Sequence, residues 1–222
     1  MTVKVIGAGL AGCEAALQLA MRGISVELYE MKPTKYTPAH SYSGFAELVC
    51  SNSLKASRIG SAAGMLKAEM RLFDSVVVRC AEKSAVAAGG ALAVDRKLFS
   101  DLVTQEIRSN KNIKVIEEEV TEIPDGYVVI ATGPLTSDAM SASIAKLCGE
   151  KYLSFFDAAA PIVSYESIDM DKVFFAARYG RGDADYINCP FEKDEYEAFY
   201  DALVNAALTA DSKTIEFFEG MV

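Results

Sequence analysis

The chain has 222 residues, 51% of them hydrophobic, a formal net charge of −9 and a single histidine. That length suits one large core or two small ones, and no stretch reaches the about 18 uninterrupted apolar residues of a membrane span. Five cysteines scattered singly, with no CxxC pair, argue against disulfides and a zinc site, and one histidine excludes a histidine-rich metal cluster.

The opening "MTVKVIGAGLAG" enters structure without the basic start, apolar run and small-residue cleavage site of a secretory signal, so a cytoplasmic protein is expected. "VKVIG" is a short apolar run closed by glycine, which suits a buried parallel strand. "LAGCEAALQLAMRG" has helical spacing, with Leu10, Ala15, Leu17, Leu19 and Ala20 predicted inward and Gly23 as the stop. "SVELYE" is a second strand, completing a βαβ unit. Residues 31 to about 61, with Pro33, Pro38 and Gly44, read as a long loop. "AAGMLKAEMRLFDSVVVRCAEKSA" is predicted as helix, with Leu66, Met70, Phe73, Val77 and Cys80 inward. "VDRKLFSDLVTQEIRSN" is another helix, "IKVIEEEVTEI" one or two short strands, and "GYVVIATG" a buried strand ending at Gly133. Beyond it, "LTSDAMSASIAKLCG" reads as helix and "APIVSYESI", "KVFFAARYG" and "DYINCPF" as strands. "EKDEYEAFYDALVNAAL" reads as an acidic helix with Tyr196, Phe199, Leu203 and Ala207 inward. The fold class expected is α/β: a Rossmann-like domain over residues 1–160, then the start of a second, inserted α+β domain over residues 161–222.

Charge is uneven along this chain. Residues 1–50 are neutral overall, residues 51–100 carry eight basic and four acidic side chains, and residues 101–222 carry a net −13. The basic window includes Lys55, Arg58, Lys67, Arg71, Arg79 and Lys83. It reads either as a solvated helix face or as an anion-facing surface.

Gly7, Gly9 and Gly12 in "GAGLAG" stand at GxGxxG spacing, after a strand and at the opening of a helix. The first glycine allows the tight turn, the second lets backbone approach a pyrophosphate, and the third lets helix pack on strand. The helix N-terminus then faces the phosphates. Glu30 ends the second strand, where a carboxylate accepts from an adenosine ribose hydroxyl. The residues expected at a dinucleotide are therefore Gly7, Ala8, Gly9, Leu10, Ala11, Gly12, Glu30, Met31 and Lys32. Cys13, at the start of the same helix, is read as a packing residue rather than a reactive thiol. Cys50 is followed by Ser51, Asn52 and Ser53, which favour turns and helix caps. A thiol at such a helix entrance, with Lys55 and Arg58 one or two turns on, is expected to be partly ionised at neutral pH. Cys80, Cys148 and Cys189 are expected to be buried.

"VVIATGP" resembles the strand and turn with which flavoproteins of the two-dinucleotide-binding-domain type close over FAD, which would bring Thr132 and Gly133 near the cofactor. "GGALAVDRKLF" would bring small residues and Arg96 close to the same ligand. Taken with "GAGLAGCEAA", "MKPTKYTPAH", "FAELVCSNSLKA", "DAAAPIV" and "YINCPF", these segments resemble the folate- and FAD-dependent tRNA (uracil-5-)-methyltransferases, from Val3 to Gly220. That family is related to the glucose-inhibited division protein A group, whose members modify the wobble uridine. The resemblance implies that reduced FAD passes a one-carbon unit from methylenetetrahydrofolate to C5 of a T-loop uridine in tRNA, with NAD(P)H as reductant. It implies a catalytic role for Cys50, with Asn52 and Ser53 bonding to cofactor or substrate. The family continues past "FFEG" with a second functional cysteine and a long C-terminal half, whereas Met221 stands at that cysteine position here. The chain accordingly reads as an N-terminal portion, and an FAD-binding module without catalysis, a generic flavin oxidoreductase or a wobble-uridine modification protein of the glucose-inhibited division protein A type are the alternatives.

Overall fold

The computed structural model describes residues 1–149, 163–177, 180 and 183–205. They fall in two units, one formed by residues 1–149 and the other by the described residues from 163 onward.

The first unit runs, in chain order, β1 (Thr2–Ile6), α1 (Leu10–Met21), β2 (Ser25–Tyr29), β3 (Ser53–Ala56), α2 (Ala62–Leu72), α3 (Val76–Lys83), β4 (Ala85–Val86), β5 (Ala91–Val94), α4 (Arg96–Ser109), β6 (Ile113–Ile116), β7 (Tyr127–Ile130) and α5 (Asp138–Cys148). Four strands form an all-parallel sheet in the order β6-β2-β1-β7, with Val5 opposite Leu28 and Val129. This is a Rossmann-like α/β arrangement, as the alternating strand and helix pattern requires. Strands β3, β5 and β4 form a small antiparallel sheet beside it.

The core joins Val3, Val5, Val26 and Leu28 of the parallel sheet to Leu17 of α1, Val76 and Val77 of α3, and Phe99, Val103 and Ile107 of α4. Each side chain of that size contributes about 1.5–3 kcal/mol on full burial. Helix α1 buries Gly12, Cys13, Ala16, Leu17 and Ala20, while Leu10, Ala15 and Leu19 are only half-buried. The face differs from the predicted one because small residues let the helix axis approach the sheet closely. The predicted helix over residues 62–85 is two helices. Asp74 takes φ 55°, and Ser75 starts a new helix by accepting from the Val78 amide at 3.2 Å. The break puts Val77 and Cys80 in the core but leaves Leu66 and Phe73 exposed.

The segment between β2 and β3 lacks regular structure yet is firmly anchored. Phe45 and Ala46 are 1% exposed. The Phe45 amide donates to Thr104 Oγ1 at 2.8 Å, the Phe45 carbonyl accepts from Ser100 Oγ at 2.5 Å, and the Ala46 amide donates to the Ala8 carbonyl at 2.8 Å. The residues that follow it, also read from sequence as loop, form β3 against β5. In "IKVIEEEVTEI" only β6 is strand. The acidic run leaves the sheet, Glu117 pairing with Arg108 at 2.6 Å and Glu119 with Lys35 at 2.7 Å.

In the second unit β8 (Phe174–Ala176) and β9 (Tyr186–Asn188) form an antiparallel pair, followed by α6 (Lys193–Val204). Residues 165–167 are a short 3-10 turn rather than strand, and residues 160–162 of that predicted strand lie outside the described residues. Helix α6 opens with a capping box between Glu192 and Glu195. Tyr196, Phe199 and Leu203 are exposed rather than inward, and Ala207 lies outside the described residues. A described contact on that face is Phe191 stacked on Phe199 at 5.5 Å. Among the described residues no helix is long and apolar enough to cross a membrane.

Candidate functional site

A crevice opens beyond the carboxyl ends of β1, β2 and β7, where β1 sits between strands whose connections leave in opposite directions. Parallel α/β sheets bind ligands at this switch point. The three glycines that follow β1 have separable roles. Gly7 has φ +95°, and a Cβ there would lie 2.8 Å from the Ala131 carbonyl oxygen. A Cβ on Gly12 would overlap the Gly7 carbonyl oxygen, so this glycine sets the contact between α1 and the turn. Gly9 differs from both. Its φ of −74° and ψ of −169° suit any residue, and a Cβ would meet no atom within 4 Å. Nothing inside the protein requires glycine at position 9, and the vacancy lies on the crevice wall. Gly9 is also the N-cap of α1 and supplies no side-chain cap, so the first-turn amides of Leu10 and Ala11 keep their electropositive end for a ligand.

Opposite the glycine turn, Glu30 is buried and binds backbone through both carboxylate oxygens. Oε2 accepts from the Ala8 amide at 2.9 Å and Oε1 from the Lys32 amide at 3.0 Å. Lys32 is 4% exposed, and its Nζ donates to the Tyr42 carbonyl at 2.9 Å, the Gly44 carbonyl at 2.7 Å and Glu47 Oε2 at 3.2 Å. Glu47 also accepts from the Ser41 and Tyr42 amides. Burial pushes its carboxyl up, but the Ser41 amide, Lys32 and the Tyr42 amide outweigh burial and hold its pKa below the ordinary value. His40 faces the crevice with Nδ1 2.6 Å from Thr37 Oγ1, and burial, then Lys32, lower its pKa and favour the neutral ring.

The third wall follows β7. Thr132 bonds Thr136 across a tight turn at 2.6 Å, and Ser137 caps α5. The crevice thus unites Gly7, Ala8, Gly9, Glu30, Met31, Lys32 and Thr132. Leu10, Ala11, Gly12 and Gly133 adjoin these residues in sequence without lining it. His40, Glu47, Glu118, Thr136 and Ser137 also line it and were not singled out as cofactor contacts from sequence. His40 and Glu47 stand in "MKPTKYTPAH" and "FAELVCSNSLKA", two of the segments that carry the family resemblance, whereas Glu118, Thr136 and Ser137 only follow β6 and β7. Cys13 is fully buried with Sγ 3.2 Å from the Ala8 carbonyl, and burial, then Glu30, push its thiol far up, in keeping with a packing role.

Cys50, Asn52, Ser53 and Arg96 lie outside this crevice, near β3 and β5. Arg96 Nη1 donates to the Leu48 carbonyl at 3.3 Å, the Val94 amide donates to the Asn52 carbonyl at 2.9 Å, and Asn52 Nδ2 returns to the Val94 carbonyl at 3.3 Å. Cys50 is exposed between these two anchors. The helix expected after it is absent: Ser53 begins a strand, because the backbone there completes its hydrogen bonds on β5. The predicted helix-dipole effect on Cys50 therefore has no source. Cys80 is buried as expected, whereas Cys148 and Cys189 are exposed. Within the basic window Lys67 is internal, donating to the Ala56 and Ala63 carbonyls, while Lys55 and Arg58 are exposed. Among the described residues no group of histidine, cysteine or acidic side chains could hold a metal ion.

The chain matches the family described as Glucose inhibited division protein A over residues 2–222. Methylenetetrahydrofolate–tRNA-(uracil-5-)-methyltransferase TrmFO of Acetivibrio thermocellus is 61% identical over 207 residues, covering 93% of this chain and 48% of that protein. The enzyme of the same name from Bacillus licheniformis is 57% identical over 222 residues, covering 99% of this chain and 51% of that protein. The chain spans about half the length of these curated relatives. The solved structure of Aquifex aeolicus GidA is 18% identical over 60% of this chain and 25% of that chain, with a TM-score of 0.48.

Proposed function

The chain belongs to the glucose-inhibited division protein A family, and on that premise we propose that its crevice holds FAD and that it forms the N-terminal portion of a folate-dependent tRNA (uracil-5-)-methyltransferase. The observation that carries the cofactor reading is Gly9, whose missing side chain leaves open space that no protein atom uses. When bound, FAD supplies the redox chemistry that takes a one-carbon unit from methylenetetrahydrofolate to uracil C5, with NAD(P)H as the source of electrons. Gly9 admits the pyrophosphate, and the amide end of α1 balances its charge. Glu30, held by the Ala8 and Lys32 amides, keeps lone pairs for a ribose hydroxyl. Met31, Lys32, Thr132 and Gly133 frame the remainder, and Asn52, Ser53 and Arg96 fix the cysteine segment. Uracil C5 becomes nucleophilic once a thiolate adds at C6, and Cys50 serves either that addition or a supporting acid–base step.

The high identity to proteins named for this reaction supports the substrate assignment. The domain organisation we favour is an FAD domain over residues 1–160 and an inserted α+β domain from residue 161. FAD titration of the chain, followed by quenching of flavin fluorescence, tests the reading. Saturable binding of one equivalent is expected, with binding lost in Gly9→Val. Binding that survives Gly9→Val unchanged overturns the assignment of the crevice.

A further inference from the structure

The buried ammonium of Lys32 is costly to place in a protein interior unless its donors are satisfied. All three find acceptors at 2.7–3.2 Å, and every acceptor belongs to the segment between Tyr42 and Glu47. The Lys32 amide is bound to Glu30, whose other oxygen holds the Ala8 amide. The Ala8 carbonyl in turn accepts from the Ala46 amide. The bonds close a circuit from the glycine turn through Glu30 and Lys32 to residues 42–47 and back to Ala8. Two residues beyond Glu47–Leu48 stands the exposed Cys50, restrained by Arg96 on the Leu48 carbonyl and by Asn52 on β5.

We propose that Lys32 is a positioning residue that couples occupancy of the glycine-turn crevice to the placement of Cys50, rather than acting chiefly as a cofactor contact. A ligand that presses on the glycine turn shifts Ala8, and the circuit carries that shift to residues 42–47 and the cysteine. This inference rests on the reading of the crevice as an FAD site for its ligand, but the clamp itself is testable without one.

Amide hydrogen exchange over residues 41–48 and the rate of Cys50 alkylation by iodoacetamide are compared in the native chain, Lys32→Met and Lys32→Arg, with and without FAD. Exposed Cys148 is the internal reference. In Lys32→Met, exchange over residues 41–48 is expected to rise about tenfold or more, as in local opening of a segment that has lost its ties. With FAD at a concentration that saturates each chain by flavin fluorescence, FAD is expected to change Cys50 alkylation in the native chain but not in Lys32→Met, with Cys148 constant, and Lys32→Arg is expected to restore part of the response. Should Lys32→Met fail to fold, Glu47→Gln, which keeps an acceptor but removes the charge, replaces it and is expected to show a smaller increase. Native exchange in the variant overturns the clamp, whether or not FAD binds. An unchanged FAD response of Cys50 in a folded variant overturns the coupling. If the native chain binds no FAD while exchange still rises in the variant, the FAD reading fails and the clamp stands.

Discussion

Replacing Gly12 by alanine tests the glycine geometry inside the protein, apart from any ligand. The added methyl would overlap the Gly7 carbonyl oxygen and come 3.4 Å from Ala131 Cβ. Neither Gly7, at φ +95° and already against Ala131, nor the sheet behind it can retreat freely. Helix α1 must move off the sheet, and an overlap with backbone rather than with a flexible side chain puts the overpacking cost at about 3 kcal/mol, the upper end of the usual range, or more. The gain in helix propensity from glycine to alanine, about 1 kcal/mol, offsets part of this. A net loss of about 2 kcal/mol in a unit of this size lowers Tm by roughly 4–8 °C. Gly9→Ala is the control. Its Cβ meets nothing and its backbone angles are ordinary, so the cost stays within the about 1 kcal/mol of an altered N-cap. Melting followed by far-UV circular dichroism, without cofactor, separates the two. A Gly12→Ala chain that melts with the native one, or a Gly9→Ala chain that falls as far as Gly12→Ala, would refute the division of roles.

The remaining predictions concern charge and thiols. Glu47 has a folded pKa below its ordinary value of 4.5, so its stabilising contribution is fully present above that value and is lost as pH falls through the lower, folded one. Acid melts should therefore lose less stability in Glu47→Gln than in the native chain, and equal slopes below pH 4.5 would contradict the assigned bonds. Exposed Cys50, Cys148 and Cys189 should take iodoacetamide under native conditions, whereas Cys13 and Cys80 should require denaturant, as read by peptide mass spectrometry. Joint replacement of exposed Lys55 and Arg58 by glutamine should weaken tRNA binding and reduce its salt slope by about 1–2 phosphate contacts. An unchanged slope would put the RNA on another surface.

The glycine turn and the βαβ unit around it were readable from sequence because GxGxxG, the flanking apolar runs and Glu30 obey local rules of spacing. The separate duties of Gly7, Gly9 and Gly12 follow from the same motif, though only the structure shows that Gly9 is free of internal constraint. The break at Asp74 was hidden because its apolar spacing continues in phase while Ser75 resets the backbone. The segment from Met31 to Asn52 read as loop since its order comes from long-range bonds, such as Phe45 to Thr104 and Lys32 to Gly44, which leave no periodic trace. The same blindness turned the caps expected at Ser51–Ser53 into a helix, where pairing with β5 makes a strand. The apolar stripe of α6 was visible, but periodicity says which residues share a face, not what covers it.

Transfer of isotope from labelled methylenetetrahydrofolate to a tRNA transcript, by a full-length methyltransferase carrying this chain as its N-terminal portion and in the presence of FAD and NAD(P)H, tests the proposed function most directly. The account predicts label at C5 of the T-loop uridine, absent in Cys50→Ala while that variant still binds FAD. A full-length protein of this kind, saturated with FAD, that leaves the uridine unlabelled, or a Cys50→Ala variant of it that labels at the native rate, would contradict it.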